Sequence, residues 1–503
     1  MKAKNALIQG TLILTVAGLL SRCLGFYNRI FLSQFIGAKE VGVYQLIFPI
    51  YMLCFSICCQ GIETSISRQV AACPTNHIKL KHKILITGIF LSSCLSFVAS
   101  GFLYFFADFL STSILKNASC AISLQIVAFT LPIVTIKSCM LGYELGMTHS
   151  VLPASTQLVE QITRIFSTYC LAVFFFTSQP ATATIATLGM AFGEIFSFAM
   201  LLISFLYREI RTKQPISITA KPYSTLLFEL LKDSIPLTSN RLVLTLIQSI
   251  SAVLIPASLF TFYGNQDQAL SFYGILTGMV MPFIFFPSAL TNSLSVMLMP
   301  TISSAKSRNQ MEHIAVASSK SISYSLLIGI FSCFLFLFYG KELGLFLFHN
   351  KMAGELLFMM ALLCPFTYVI TTLNSILNGL GKMTYTFFHN VISSSILLAF
   401  IYFVIPNYGI QGFLWGAITS DLLLIFLNFI AILSTTKLYF HPYYSILKPT
   451  AIACISGGVR FLFLKEIQNI YQLFFACAIY GSCVLLFLFL FCKHDFDIDE
   501  RKS

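Results

Sequence analysis

Apolar residues in this chain do not alternate as in half-buried strands. They form long continuous runs separated by short polar breaks. Fourteen runs can be marked, at 8–32, 41–70, 84–107, 119–147, 151–177, 181–206, 226–258, 268–300, 318–339, 355–380, 384–405, 409–435, 446–464 and 469–492. Each approaches or exceeds the about 20 residues that carry an α-helix across the hydrocarbon core of a bilayer. The pattern predicts an all-α polytopic membrane protein of about fourteen transmembrane helices. The first run is too long and too arginine-rich for a cleaved leader, so it reads as a true span.

Composition sharpens that picture. With 57% hydrophobic and 10% charged residues over 503 positions, and a mean hydropathy of +0.84, there is too little polar surface to cover a soluble fold. The net charge of +12 is a matter of topology. Of the 31 lysines and arginines, nineteen fall in the termini and one alternating set of loops, whereas the other set holds only Lys39, Lys116, Lys341, Lys351 and Lys465. By the positive-inside rule the first side is cytoplasmic, with both termini there, which requires an even number of spans. The basic excess therefore implies no nucleic-acid partner. The fifteen cysteines lie mostly inside runs, show no metal spacing and read as small apolar residues.

No connector is long enough to be a domain. The polar stretch 207–225 is the natural boundary between an N-terminal lobe (1–225) and a C-terminal lobe (226–440), with 441–503 holding the last two helices and a cytoplasmic tail. Weak internal similarity supports a repeat. Glu63-Thr-Ser-Ile-Ser67 in run 2 resembles Thr291-Asn-Ser-Leu-Ser295 in run 8, and Leu145-Gly-Met-Thr148 resembles Gly381-Lys-Met-Thr384. These pairings imply a six-span unit repeated in parallel orientation.

Charges inside the runs are the candidate chemistry. Seven cations lie there: Arg22, Arg29, Arg68, Lys137, Arg164, Arg241 and Arg460. A charge in hydrocarbon costs at least about 2.5–3.5 kcal/mol and normally faces a cavity or a partner. Arg22 and Arg29 are seven residues apart, nearly two helical turns, so they share a face with Gly18 and Gly25. Arg68 and Arg460 lie close enough to run ends to snorkel, and for Arg241 snorkelling and a site role both stand. Glu160 and Arg164, four apart in run 5, make a polar stripe with Gln157 and Gln161, as a helix-locking pair or as a gate. Glu63 and Glu194 are the remaining buried acids, each a partner for an arginine or a site for a coupling cation, while Glu144 and Asp421 fall nearer helix ends. Run 8 contains Gly274, Gly278, Pro282 and Pro287 and cannot be straight. No Walker loop, zinc signature or catalytic-triad spacing is present, so no catalytic or metal-binding residue is assigned.

These residues resemble a known family. Tyr273–Ser303 is similar to the eighth-span signature of the stage V sporulation protein B family, as are Ser21-Arg22…Gly25-Phe26…Asn28-Arg29, Gly61-Ile62…Ser65-Ile-Ser-Arg68 and Gln157…Glu160-Gln161…Arg164. That family is related to the MurJ-type lipid II flippases within the multidrug/oligosaccharidyl-lipid/polysaccharide superfamily. The resemblance implies two six-helix lobes around a cavity plus a C-terminal helix pair. It implies that the chain is a transporter rather than an enzyme, one that turns undecaprenyl-pyrophosphate-linked peptidoglycan precursor across the bacterial cytoplasmic membrane. Arg22, Arg29, Arg68 and Arg241 then match the pyrophosphate-binding arginines, and Glu63, Glu160, Arg164 and Glu194 are gating or ion-pair residues. The expected partners are a polyprenyl-diphosphate-linked saccharide, membrane lipids and cell-wall synthesis proteins. No cofactor is implied beyond a coupling cation (Na+ or H+) or the membrane potential. A flippase for another polyprenyl-linked glycan is the nearest alternative, ahead of a cation-coupled drug exporter. An integral-membrane glycosyl- or acyltransferase is a further alternative, but it would need paired acids or histidines on a substantial loop. Two departures bear on the ion site: the family's arginine and glutamine near the end of run 4 give way to Leu141-Gly-Tyr-Glu-Leu-Gly146, and an acid before a run 7 proline is Ile255.

Overall fold

A computed structural model of the chain describes residues 2–74, 77–175, 182–211, 222–459 and 467–491. Arg460 lies outside the described residues. The regular structure of the described residues is all helical, with no strand among them. Counting helices of nine residues or more, the order in the first half is α1 (Lys2–Phe55), α2 (Gly61–Ala72), α3 (Ile78–Phe105), α4 (Cys120–Gly146), α5 (Val151–Cys170), α6 (Ala183–Arg211) and α7 (Tyr223–Tyr263). The second half continues with α8 (Gln266–Gly274), α9 (Ser288–Ser307), α10 (Met311–Phe348), α11 (Lys351–Met360), α12 (Leu363–Gly379), α13 (Met383–Phe403), α14 (Ile410–Leu433), α15 (Lys448–Gly458) and α16 (Ile470–Phe491).

Among the described residues nine helices are long and apolar enough to cross a membrane, and up to eleven stretches qualify when each of two bent pairs is taken as one span. The protein is a multi-pass membrane protein. One of the nine, Ile13–Ala72, takes in two of the apolar runs. It breaks at Gly37, whose backbone (φ 78°, ψ 168°) lies in a region essentially restricted to glycine. The expected bend in run 8 is present: Gln266–Ile284 and Ser288–Ser307 meet at 58° beside Pro287, and run 10 bends by 54° between Met360 and Leu363. Helix α5 is absent from the nine because Gln157, Glu160, Gln161 and Arg164 lower its hydropathy.

The chain packs as two compact units, Met1–Val253 and Leu254–Ser503, dividing inside the 41-residue α7. The first unit's core joins Ile66 of α2, Leu85 of α3, Tyr143 of α4, Leu201 of α6 and Leu230 of α7. The second joins Ile302 of α9, Ile322 of α10, Leu373 of α12 and Ile432 of α14. The same neighbour pattern recurs in each: α2, α3 and α6 against α4, with α5 against α6, and α9, α10 and α14 against α12, with α13 against α14. The repeat is therefore built into the packing.

Its register differs by about one helical turn from the sequence match. A Cβ on Gly142 would stand 2.6 Å from the Glu63 carbonyl, and one on Gly146 would stand 2.7 Å from that of Ser67. In the second unit Ser375 donates to the Ser295 carbonyl at 2.5 Å, and a Cβ on Gly379 would stand 2.9 Å from that of Met299. Glu63 thus corresponds to Ser295, not Thr291. The corner residue Thr148 (φ 61°) likewise corresponds to Gly381 (φ 76°). Apolar helices resemble themselves when slid by a turn, whereas backbone contacts fix the register.

Candidate functional site

Two facing glycines on α6 create the most polar place in the first unit. Helices in lipid gain little hydrophobic free energy from associating, so small residues that allow close approach decide where they pack. Gly189 and Gly193 form such a pair. A Cβ at Gly189 would stand 2.0 Å from Thr168 Oγ1, and one at Gly193 would stand 2.9 Å from the Glu160 carbonyl and 3.1 Å from Arg164 Cβ. The contact draws α5 onto α6 and places Glu160 and Arg164 beside Glu194.

Lys137 completes the group from α4. Its ammonium donates to Glu160 Oε2 at 2.9 Å, to Glu194 Oε2 and to Ser197 Oγ at 3.2 Å. Arg164 Nη2 donates to Glu160 Oε1 at 2.7 Å and stands 3.8 Å from Glu194 Oε1. The result is a neutral tetrad, two cations and two carboxylates, inside the helix bundle. Sequence reasoning paired Glu160 with Arg164 on one helix but did not join that pair to Glu194, and it gave Lys137 no role. The signal was present in two forms: an intramembrane lysine, and the Gly189-x-x-x-Gly193 spacing one residue before Glu194.

Helices α1 and α5 run side by side in the same direction, since Gly25 faces Gln161 and, further along both, the Phe31 and Tyr169 rings are 5.9 Å apart. Between these contacts lie Asn28 and Arg29 on one helix and Arg164 on the other. Asn28 Oδ1, Gln161 Oε1 and Arg164 Nε are buried without a hydrogen-bond partner. Arg29 is half-buried and lies within the electrostatic reach of Arg164 and Tyr44.

The four arginines expected to bind an anion are placed differently from the tetrad. Arg22, Arg68 and Arg241 are exposed. Among the described residues, neither they nor Arg29 pairs with a carboxylate within 4 Å. Arg22 and Arg29 share α1, but their glycines differ: Gly18 has nothing within 4 Å of a built Cβ, while Gly25 leans on α5. Glu63 stands apart from the other acids, within the field of Arg241 and without a bridge to it. Helix α2 is held to α7 nearby, through Gly61 against Ser234 and Thr238 and through Gln69 Nε2 donating to Asp233 at 2.8 Å.

Glu144, one of the departures from the family pattern, is fully buried and engaged by both ends of the Arg208 guanidinium, with Nη1 at 2.8 Å from Oε2. His149 Nδ1 also lies 3.0 Å from Oε2. The acid thus ties α4 to α6 at one end.

Comparison with known proteins agrees with this architecture. A family model described as "Polysaccharide biosynthesis protein" matches residues 7–306. Stage V sporulation protein B of Bacillus subtilis (strain 168) is 26% identical over 432 residues, covering 85% of this chain and 83% of that protein. The solved structure of lipid II flippase MurJ in an inward closed conformation is 15% identical, with a TM-score of 0.68 over 95% of this chain and 98% of the other. An inward-facing multidrug resistance MATE family transporter of the MOP superfamily gives a TM-score of 0.64 at 12% identity, over 82% of this chain and 93% of the other. The fold is thus that of MurJ and MATE transporters, and with well over half of its length matched, this chain belongs to the polysaccharide biosynthesis protein family.

Proposed function

We propose that the protein is a flippase that moves a polyprenyl-diphosphate-linked saccharide, the peptidoglycan precursor lipid II, across a bacterial cytoplasmic membrane by alternating access, with both termini on the cytoplasmic side. The observation that carries the reading is the pair Arg22 and Arg29: two cations on one apolar helix, neither paired with a carboxylate within 4 Å among the described residues. A diphosphate carries about two negative charges, and guanidinium forks are its best counter-charges in a partly dry environment. The polyprenyl tail is as apolar as lipid and can stay in the bilayer while the head is carried. Arg68 and Arg241, equally without carboxylate partners among the described residues, extend the anion-binding set. Membership of the polysaccharide biosynthesis protein family and the fold shared with lipid II flippase MurJ support the same substrate class. Energy comes from a coupling cation or the membrane potential.

The test is complementation of a strain depleted of its lipid II flippase by wild type, Arg22→Ala and Arg29→Ala, with membrane levels measured by blot. Rescue by wild type alone supports both substrate class and arginine site. Full rescue by both variants refutes the arginine assignment. Failure of all three at normal membrane levels moves the substrate to another polyprenyl-linked glycan.

A further inference from the structure

We propose that Arg164 is a further anion-binding residue, acting with Arg29 along the α1–α5 seam and released for that purpose by an exchange of partners at Glu160. Lys137 is the positioning residue that permits the exchange. The inference rests on the reading that the transported head group is a diphosphate.

Three observations lead there. The first is that the tetrad is not needed for packing. In the second unit, Gly412 and Gly416 of α14 receive α13 as Gly189 and Gly193 receive α5, and what they meet is Val404 and Phe400. Helices α12 and α13 contain no lysine, arginine, aspartate or glutamate, and Ala417 follows the second glycine where Glu194 does in the first unit. The same scaffold therefore closes without an ion pair, with Val404 and Phe400 at the glycines and the uncharged bridge of His389, Asn428 and Asn374 elsewhere along the three helices. Replacing buried ion pairs with uncharged packing is commonly neutral or stabilising. The charges of the first unit serve something other than helix association.

The second observation is that Arg164 is under-used. Of its five N–H donors, Nη2 alone meets a carboxylate within 3 Å; Glu194 stands off at 3.8 Å and Nε is buried without a partner. Arg29 lies on α1 between the two contacts that define the same seam and within the field of Arg164, so tetrad and Arg29 together carry one excess positive charge. The third is that Glu160 has two cationic partners. If Arg164 turns to an anion in the adjoining seam, Lys137 still bonds both Glu160 and Glu194, so each buried carboxylate keeps a charge-assisted hydrogen bond although one cation now serves two carboxylates. An arginine whose only counter-charge was Glu160 would leave an uncompensated charge on departure, at prohibitive cost.

The experiment uses the full chain in nanodiscs and measures the affinity for undecaprenyl diphosphate, with undecaprenol as the uncharged control. Glu160→Gln removes the competitor for Arg164 and is expected to tighten binding several-fold. Glu160→Gln/Arg164→Gln keeps the network neutral and is expected to bind about tenfold more weakly than wild type, the loss of one charge-assisted hydrogen-bonding group. Thermal transitions of both proteins establish that they are folded. Wild-type affinity in the double variant, with binding lost in Arg29→Gln, overturns the role of Arg164 alone. A wild-type protein that does not distinguish the diphosphate from undecaprenol overturns this inference together with the diphosphate reading beneath it.

Discussion

Removing Lys137 alone is expected to be worse for the fold than removing it together with a carboxylate. In Lys137→Met, Glu160 and Glu194 keep their charges while Arg164 is the only cation left, and the site acquires one net negative charge. The Lys137 side chain is 6% exposed, and those of Glu194 and Glu160 are 8% and 18% exposed, so water does little to compensate. Breaking a buried pair by deleting one partner costs about 3–5 kcal/mol. Lys137→Met/Glu194→Gln restores neutrality and keeps the 2.7 Å bond between Arg164 and Glu160, leaving a net loss of about 1–2 kcal/mol for the hydrogen bonds removed. The double variant is therefore expected to be more stable than Lys137→Met, with a coupling free energy of about 2–3 kcal/mol. Reversible unfolding in mixed micelles, followed by circular dichroism, measures all the corners of the cycle. Strictly additive losses, or a Lys137→Met protein within 1 kcal/mol of wild type (the median scale of exposed pairs), would refute the description of these side chains as one closed network.

Three further outcomes follow from local geometry. Gly193→Leu drives a side chain into the Glu160 carbonyl and Arg164, and is expected to destabilise by at least about 1–3 kcal/mol, seen as a lowered melting transition in detergent-solubilised protein. Gly37→Val forces a β-branched residue to φ 78°, at a strain of about 1–3 kcal/mol, and should cut the yield of monodisperse protein on size exclusion. Glu144→Gln breaks the doubly bonded contact with Arg208 at a cost of about 1–3 kcal/mol; limited proteolysis of the detergent-solubilised protein should then cut faster near residues 147–150.

Much of the fold was legible because bilayer thickness imposes a length on apolar runs. The bend of run 8 was legible from Pro287, whose ring is incompatible with a straight helix. The break at Gly37 lay in a polar gap between runs, so two helices were expected where the backbone continues through a single glycine. The candidate site was readable in parts. Glu160 and Arg164 announce each other by their spacing on one helix, yet nothing in the spacing of Lys137, Glu160 and Glu194 says that three helices bring them together. That information resides in Gly189 and Gly193, which carry no side chain to draw attention. The repeat was visible, but only to within a helical turn, because Glu63-Thr-Ser-Ile-Ser67 fits its counterpart almost as well after a slip. That Arg22, Arg29, Arg68 and Arg241 meet no carboxylate within 4 Å among the described residues is a property of three-dimensional neighbours and had no trace in the sequence.

The tetrad also imposes an order on biosynthesis. Glu160 follows Lys137 by 23 residues and Glu194 by 57, so the ribosome delivers the lysine to the membrane well before either counter-charge. Until α5 arrives, α4 must lodge with its ammonium uncompensated, at about 2.5–3.5 kcal/mol on insertion scales. Helix α5 is itself too polar to rank among the strongly apolar spans, and it enters with its acid and arginine already four residues apart. Helix α5 is thus a poor substrate for insertion alone and a better one beside α4, whose ammonium its Glu160 neutralises, so the tetrad favours lodging α5 against a helix that is apolar enough to span by itself.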